Sequence, residues 1–142
     1  MTDNSTTKFG FVCVQNAGRS QMSAAFAEQE REQRGLESSV EILTGGTRPA
    51  DHVHEEVVTV MRELDIDLSD RIPRKVSTAE LESCDMVATM GCSTLELDAE
   101  TVDVRDWALD DPDGQDMERV REIRDDIAHR VKDLFDEFSP GY

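Results

Sequence analysis

The chain has 142 residues, of which 32 are acidic and 15 are Lys or Arg, giving a formal net charge of −17. That length suits one domain with a real core, and that charge argues against nucleic acid and anionic membrane as partners. No apolar run is long enough to span a bilayer and no signal-peptide pattern stands at the start, so the expected location is cytoplasmic.

Much of the acid falls on helix-forming stretches, such as Glu28, Glu30 and Glu32, or Asp125, Asp126, Asp133 and Asp136. Such runs read as solvated faces. A surface this acidic suits a high-salt milieu, where self-repulsion is screened. Three cysteines in a cytosolic chain point to reactive or buried thiols rather than a disulfide framework. No CxxC pair or clustered His ligands occur, so no metal site is expected.

Residues 1–7 are polar and read as a frayed tail; residues 8–142 read as the folded domain. A first strand is predicted over Lys8 to Val14, followed by a helix from Arg19 to Arg34 that stops at Gly35. Val40 to Leu43 reads as a strand ending in the turn-rich loop Thr44-Gly45-Gly46-Thr47-Arg48-Pro49. Asp51 is the expected cap of a second helix, with Val57, Met61 and Leu64 on its apolar side. A short helix from Thr78 to Ser83 precedes a buried strand, Asp85 to Met90. Thr101 to Val104 reads as the fourth strand. The last helix places Met117, Val120, Ile123, Ile127, Val131, Leu134 and Phe138 on one face. Strands alternate with helices throughout, so the fold class is α/β, a parallel sheet covered on both faces.

Chemistry concentrates in Cys13-Val14-Gln15-Asn16-Ala17-Gly18-Arg19-Ser20. This loop joins a strand to a helix. Amides at a helix N-terminus lack intrahelical partners, and the helix dipole favours negative charge there. Successive inward-facing amides from Val14 to Gly18 make an anion nest. Arg19 adds a two-pronged grip on oxygen atoms. Cys13 sits beneath the central atom, and the same field favours thiolate over thiol. Ser20 is placed to donate a hydrogen bond to that sulfur. Asn16 tolerates left-handed backbone and is expected to shape the loop.

Ligands in open α/β sheets bind at the carboxyl ends of the strands. Cys13, Thr44, Cys92 and Asp111 all fall at or just past predicted strand ends. Asp111 reads equally well as a proton donor to a departing oxygen or as part of a capped turn before the last helix. Cys92 could attack a Cys13 adduct to form a disulfide, or be a stray loop thiol. Cys84, at the opposite end of its strand, reads as structural. His52, His54 and His129 read as surface residues without a role.

Several stretches resemble the low-molecular-weight protein tyrosine phosphatase superfamily. They are Cys13 to Arg19-Ser20, then Met22, with Asp111-Pro112 far downstream. Phe11 to Met22, Arg48-Pro49-Ala50-Asp51, Ala88 to Cys92 and Asp106 to Pro112 look more like its arsenate reductase branch, of thioredoxin or mycothiol type. The likeness runs from about Phe9 to Phe138. It implies a four-stranded parallel sheet with helices on both faces. It implies that Cys13 attacks an oxyanion held by Arg19 and the loop amides of Val14 to Gly18, that Asp111 protonates the departing oxygen, and that Thr44 supports Asn16. The implied activity is arsenate reduction through a Cys13–arsenic adduct resolved by Cys92 or an external thiol. The alternative is a phosphatase acting through a phosphocysteine, and a third reading is an oxyanion-binding domain without catalysis. No bound cofactor is implied. An external reductant is: a thioredoxin, a glutaredoxin or a low-molecular-weight thiol.

Two departures bear on the choice. Asp113-Gly114-Gln115 follows the Asp-Pro, where phosphatases of this group usually carry aromatics. Ser93 to Glu100 contains no cysteine, so an internal relay through Cys92 lacks its second member.

Overall fold

A computed structural model describes residues 7–90, 102–107, 109, 112 and 114–138. Strands β1 (Thr7–Cys13), β2 (Val40–Gly46), β3 (Met86–Met90) and β4 (Asp103–Asp106) alternate with helices α1 (Arg19–Gln33), α2 (Glu55–Arg62), α3 (Thr78–Glu82) and α4 (Met117–Phe138). The strands form one parallel sheet in the order β2-β1-β3-β4. The expected parallel sheet with helices on both faces is therefore borne out. β1 begins at Thr7, one residue inside the segment read as a tail. β2 runs on to Gly46, and β4 starts two residues later than predicted.

Side chains on a strand alternate between faces, and β1 shows what this achieves. Phe9, Phe11 and Cys13 enter the larger core, with Met22, Phe26, Val57, Met61, Ile127 and Phe135 from α1, α2 and α4. Val12 enters a smaller core on the opposite face, with Val76, Leu81, Cys84 and Val87. Phe9 stacks edge-on against Phe135, ring centroids 5.2 Å apart. Both faces of β1 are thus buried, and that fixes the strand end from which the Cys13 loop departs.

Helix α1 ends as its sequence suggested. Gly35 adopts φ 67°. Leu36 N donates to Arg31 O at 2.9 Å and Gly35 N to Glu32 O at 3.2 Å, which satisfies the last carbonyls. The start of α2 differs from the expectation. Its cap position is His54, not Asp51, and no side chain caps it. The cause lies in the preceding segment, where the amide of His54 is drawn to Ala17 O at 3.0 Å. Helix α3 carries a full capping box, with Ser77 and Glu80 each accepting from the other's backbone amide.

Helix α4 buries Phe135 and Arg124, which the apolar stripe did not include. Arg124 is 8% exposed. Its guanidinium donates to Val60 O at 2.9 Å, to Glu63 at 2.7 Å and to Asp125 at 2.8 Å. Arg121 grips the same Glu63 carboxylate. The pair ties α4 to the C-terminal end of α2. Arg124→Ala is expected to lower unfolding free energy by about 2–3 kcal/mol, because a buried carbonyl and a carboxylate lose their donor; urea titration measures it. Hydrogen bonds from Arg121 and Arg124 hold the Glu63 carboxyl below its ordinary 4.5. A depressed acid contributes stability that is present above its ordinary value and lost as pH falls through the folded one. The thermal midpoint should therefore be level above pH 5 and fall below about 4.5, more steeply in the parent than in Arg124→Ala.

Candidate active site

The sheet order places β1 between β2 and β3, so the chain leaves β1 toward β2 and returns on its other side. The crevice at such a switch is where open α/β sheets bind ligands. Cys13 ends β1 at that crevice, and α1 begins six residues later.

The loop between them is shaped from outside. Its carbonyls are taken by the segment that follows β2. Thr47 N donates to Cys13 O at 3.3 Å, Arg48 N to Val14 O at 2.8 Å, Ala50 N to Gln15 O at 2.9 Å and His54 N to Ala17 O at 3.0 Å. With its carbonyls so occupied, the loop keeps donors to spare. The amides of Gln15, Ala17 and Gly18 donate to nothing among the described residues. Ala17 and Gly18 are buried, so these are donors that water meets poorly and an anion would satisfy.

Cys13 is 3% exposed. Its Sγ accepts from the amide of Asn16 at 3.2 Å and lies 2.9 Å from Ser20 Oγ. The direction of the second bond follows from the next one. Asn16 Nδ2 donates to Ser20 Oγ at 2.8 Å, so the hydroxyl proton turns toward the sulfur. Asn16 Nδ2 also donates to Thr44 Oγ1 at 2.9 Å, and that hydroxyl donates to Phe11 O at 2.9 Å. Asn16 Oδ1 accepts from Gln21 Nε2 at 3.0 Å and from Arg74 N at 3.1 Å. Two donors thus converge on one buried sulfur.

Asn16 itself has φ 53° and no exposed surface. A left-handed asparagine turns the loop back under the sulfur, and its amide distributes donors on both sides. The sequence named Asn16, Ser20 and Thr44, and the structure brings all three together. Gln21 and the Arg74 backbone were not foreseen. The signal for Gln21 was its place in the first turn of α1, one residue after Ser20. No local signal marks Arg74, which arrives from a segment 58 residues away. His54, read as a surface residue, meets Gln15 Oε1 with its Nε2 at 3.1 Å.

Gly46 is the closest neighbour beneath the loop. A Cβ there would lie 2.5 Å from Val14 O and 3.0 Å from Asn16 N, so only glycine lets β2 run this near.

Arg19 opens α1, half-buried, and donates to Leu109 O at 2.9 Å. A Cβ on Gly18 would meet Pro112 Cγ at 3.3 Å. Leu109 and Pro112, which bracket Asp110 and Asp111 in the sequence, therefore both contact the Cys13 loop. Asp110, Asp111 and Cys92 themselves lie outside the described residues. No group of residues able to hold a metal ion occurs among the described residues, and none of their helices is long and apolar enough to cross a membrane.

A model of the "Low molecular weight phosphotyrosine protein phosphatase" family matches residues 8–140. The chain belongs to that family. Several relatives within the family carry arsenate reductase names. It is 82% identical over 140 residues to a Halobacterium salinarum protein named "Putative arsenate reductase", covering 99% of each chain. It is 31% identical over 136 residues to the glutaredoxin arsenate reductase of a Synechocystis species, covering 93% of this chain and 98% of that one. Among solved structures it is similar to a thioredoxin-dependent arsenate reductase of Corynebacterium glutamicum, with TM-score 0.78 and 29% identity. That match covers 96% of this chain but 63% of the other, so this chain spans under two thirds of that relative. An arsenate reductase in its phosphate-binding state matches with TM-score 0.80 and 27% identity, over 94% of this chain and 100% of that one.

Cys13 and Cys84 are both buried but differ in their surroundings. Burial pushes the Cys84 thiol up to about 11, and its Sγ sits over Gly10 in the smaller core. Brief treatment of native protein with iodoacetamide at pH 8 is expected to alkylate Cys13 and to leave Cys84 unmodified. Peptide mapping by mass spectrometry reads both positions.

Proposed function

We propose that this protein reduces arsenate to arsenite. The observation that supports it most is the buried Cys13 sulfur, facing two donors beside loop amides that donate to none of the described residues, in a chain similar to proteins named arsenate reductase. Cys13 attacks arsenic, one oxygen departs as water with a proton from Asp111, and a Cys13–arsenic adduct remains. Arg19 and the amides from Val14 to Gly18 hold the other oxygens, where preorganised donors stabilise developing charge. Arg19 would release Leu109 O to take this anion, coupling oxyanion entry to the segment that carries Asp111. Ser20, Asn16 and Thr44 position the sulfur and the loop. A second thiol, Cys92 or an external one, attacks the Cys13 sulfur; the sulfur–arsenic electron pair leaves with arsenic as arsenite, and a disulfide remains for the reductant to reduce. The reductant is a thioredoxin, a glutaredoxin or a small thiol, no cofactor stays bound, and the reaction belongs to the cytoplasm.

A phosphatase working through a phosphocysteine is the second reading, favoured by the family model itself. One experiment separates them. Purified protein is given arsenate with a thiol donor, and in parallel an aryl phosphate. Arsenite release well above the thiol-only control supports the reductase, whereas fast phosphate release without arsenite overturns it. Mass spectrometry after one turnover, searching for a Cys13–Cys92 bond, then decides which thiol resolves the adduct.

A further inference from the structure

We propose that Arg48 and Lys75 form a cationic entry that binds the carboxylates of a small anionic thiol, the co-substrate that resolves the Cys13 adduct. This rests on the arsenate reductase reading above. The starting point is how the cations of this acidic chain are disposed. Arg34, Arg62, Arg71, Arg74, Arg105, Arg121, Arg124, Arg130 and Lys132 are each held by a carboxylate. The side chains of Arg48 and Lys75 are exposed and hold no partner among the described residues.

Both stand on backbone that touches the Cys13 loop. The amide of Arg48 donates to Val14 O, next to Cys13, at 2.8 Å. Lys75 pairs with Gly46, whose own Cα carries the position that approaches Val14 O and Asn16 N. Arg74, its neighbour, bonds Asn16 Oδ1 through its amide. Neither stretch offers an acid to neutralise them: Thr44 to Ala50 contains none, and neither does Arg71 to Val76. Elsewhere a surface of net charge −17 repels anions. A thiol that keeps a free carboxyl group, as cysteine and glutathione do, carries at least one carboxylate, so it is repelled by most of this surface and admitted here. The absence of a cysteine from Ser93 to Glu100 leaves a role for such a thiol.

The chemistry balances with two equivalents. One thiolate attacks the Cys13 sulfur of the adduct, the sulfur–arsenic pair leaves on arsenic as arsenite, and a mixed disulfide forms. A second thiolate attacks that disulfide, releasing the oxidised thiol and restoring the Cys13 thiolate. Arsenic gains two electrons and the two thiols lose them.

The test compares glutathione, which carries two carboxylates, with 2-mercaptoethanol, which carries none, at low salt where charge is least screened. In Arg48→Ala and in Lys75→Ala the KM for glutathione should rise about threefold, and in the double variant about tenfold. The KM for 2-mercaptoethanol and the KM for arsenate should not move, and Arg48→Lys should restore most of the loss. A glutathione KM indifferent to both substitutions overturns the proposal. So does an arsenate KM that rises with them, which would assign these cations to the oxyanion instead. Turnover with a thioredoxin-type protein and with neither small thiol also overturns it. Arsenite from neither small thiol nor protein donor would sink the reductase reading itself, an outcome distinct from a working but charge-blind enzyme.

Discussion

Arsenite production is expected to fall at least about a thousandfold when Cys13 is replaced by serine. The reasoning starts from the sulfur's surroundings. Asn16 N and the Ser20 hydroxyl both aim at this one atom, and a sulfur is intrinsically a far better nucleophile than the hydroxyl oxygen that would replace it. Serine is slightly smaller and fits the same 3% exposed position, so the fold should survive, with a thermal midpoint close to the parent's. The unengaged amides and Arg19 also remain, so inorganic phosphate should still bind, as calorimetry would read. Loss of turnover with retained anion binding is the signature of a missing nucleophile. Retained arsenite production would show that Cys13 is not the attacking group.

Gly46→Ala is expected to damage both stability and turnover, although it adds only one methyl group. The new Cβ would lie 2.5 Å from Val14 O and 3.1 Å from Asn16 Cβ. Neither neighbour is the free end of a flexible side chain. Val14 O is backbone already tied to Arg48 N, and Asn16 is anchored by Ser20, Thr44, Gln21 and Arg74. Something in the loop must shift, and overpacking of this kind costs about 1–3 kcal/mol. A displacement of about 1 Å at the reacting atoms costs roughly a hundredfold in rate. Denaturant titration and arsenite assay together check it. A variant that keeps parental turnover would mean the loop tolerates movement that its hydrogen bonds argue against.

The two substitutions differ in how visible their reasons are in the chain. Cys13, Arg19 and Ser20 announce themselves, because a thiol and a guanidinium bounding a strand-to-helix loop have a local chemical meaning. The same holds for a parallel sheet covered on both faces, which the alternation of strands with helices announces along the chain. Helix α4 was readable from its apolar period, except at Arg124. A charged residue carries no periodic signal that it will be buried; only the approach of Val60 O and Glu63 makes burial tolerable.

The Cys13 loop thus has two authors. That a thiol, a helix N-terminus and an arginine occupy eight consecutive residues is legible in the chain alone, because those relations are local. How the loop is held depends on long-range contacts. Its carbonyls are bonded by Thr47 to His54, its asparagine is anchored by Thr44 and the Arg74 backbone, and Gly46 leaves room beneath it. These partners come from distant segments that reach the loop because β2 pairs with β1 in parallel register, Cys13 opposite Gly46. Spacing along a chain encodes what a residue can do. Strand pairing, a long-range event, sets which backbone amides donate to none of the described residues.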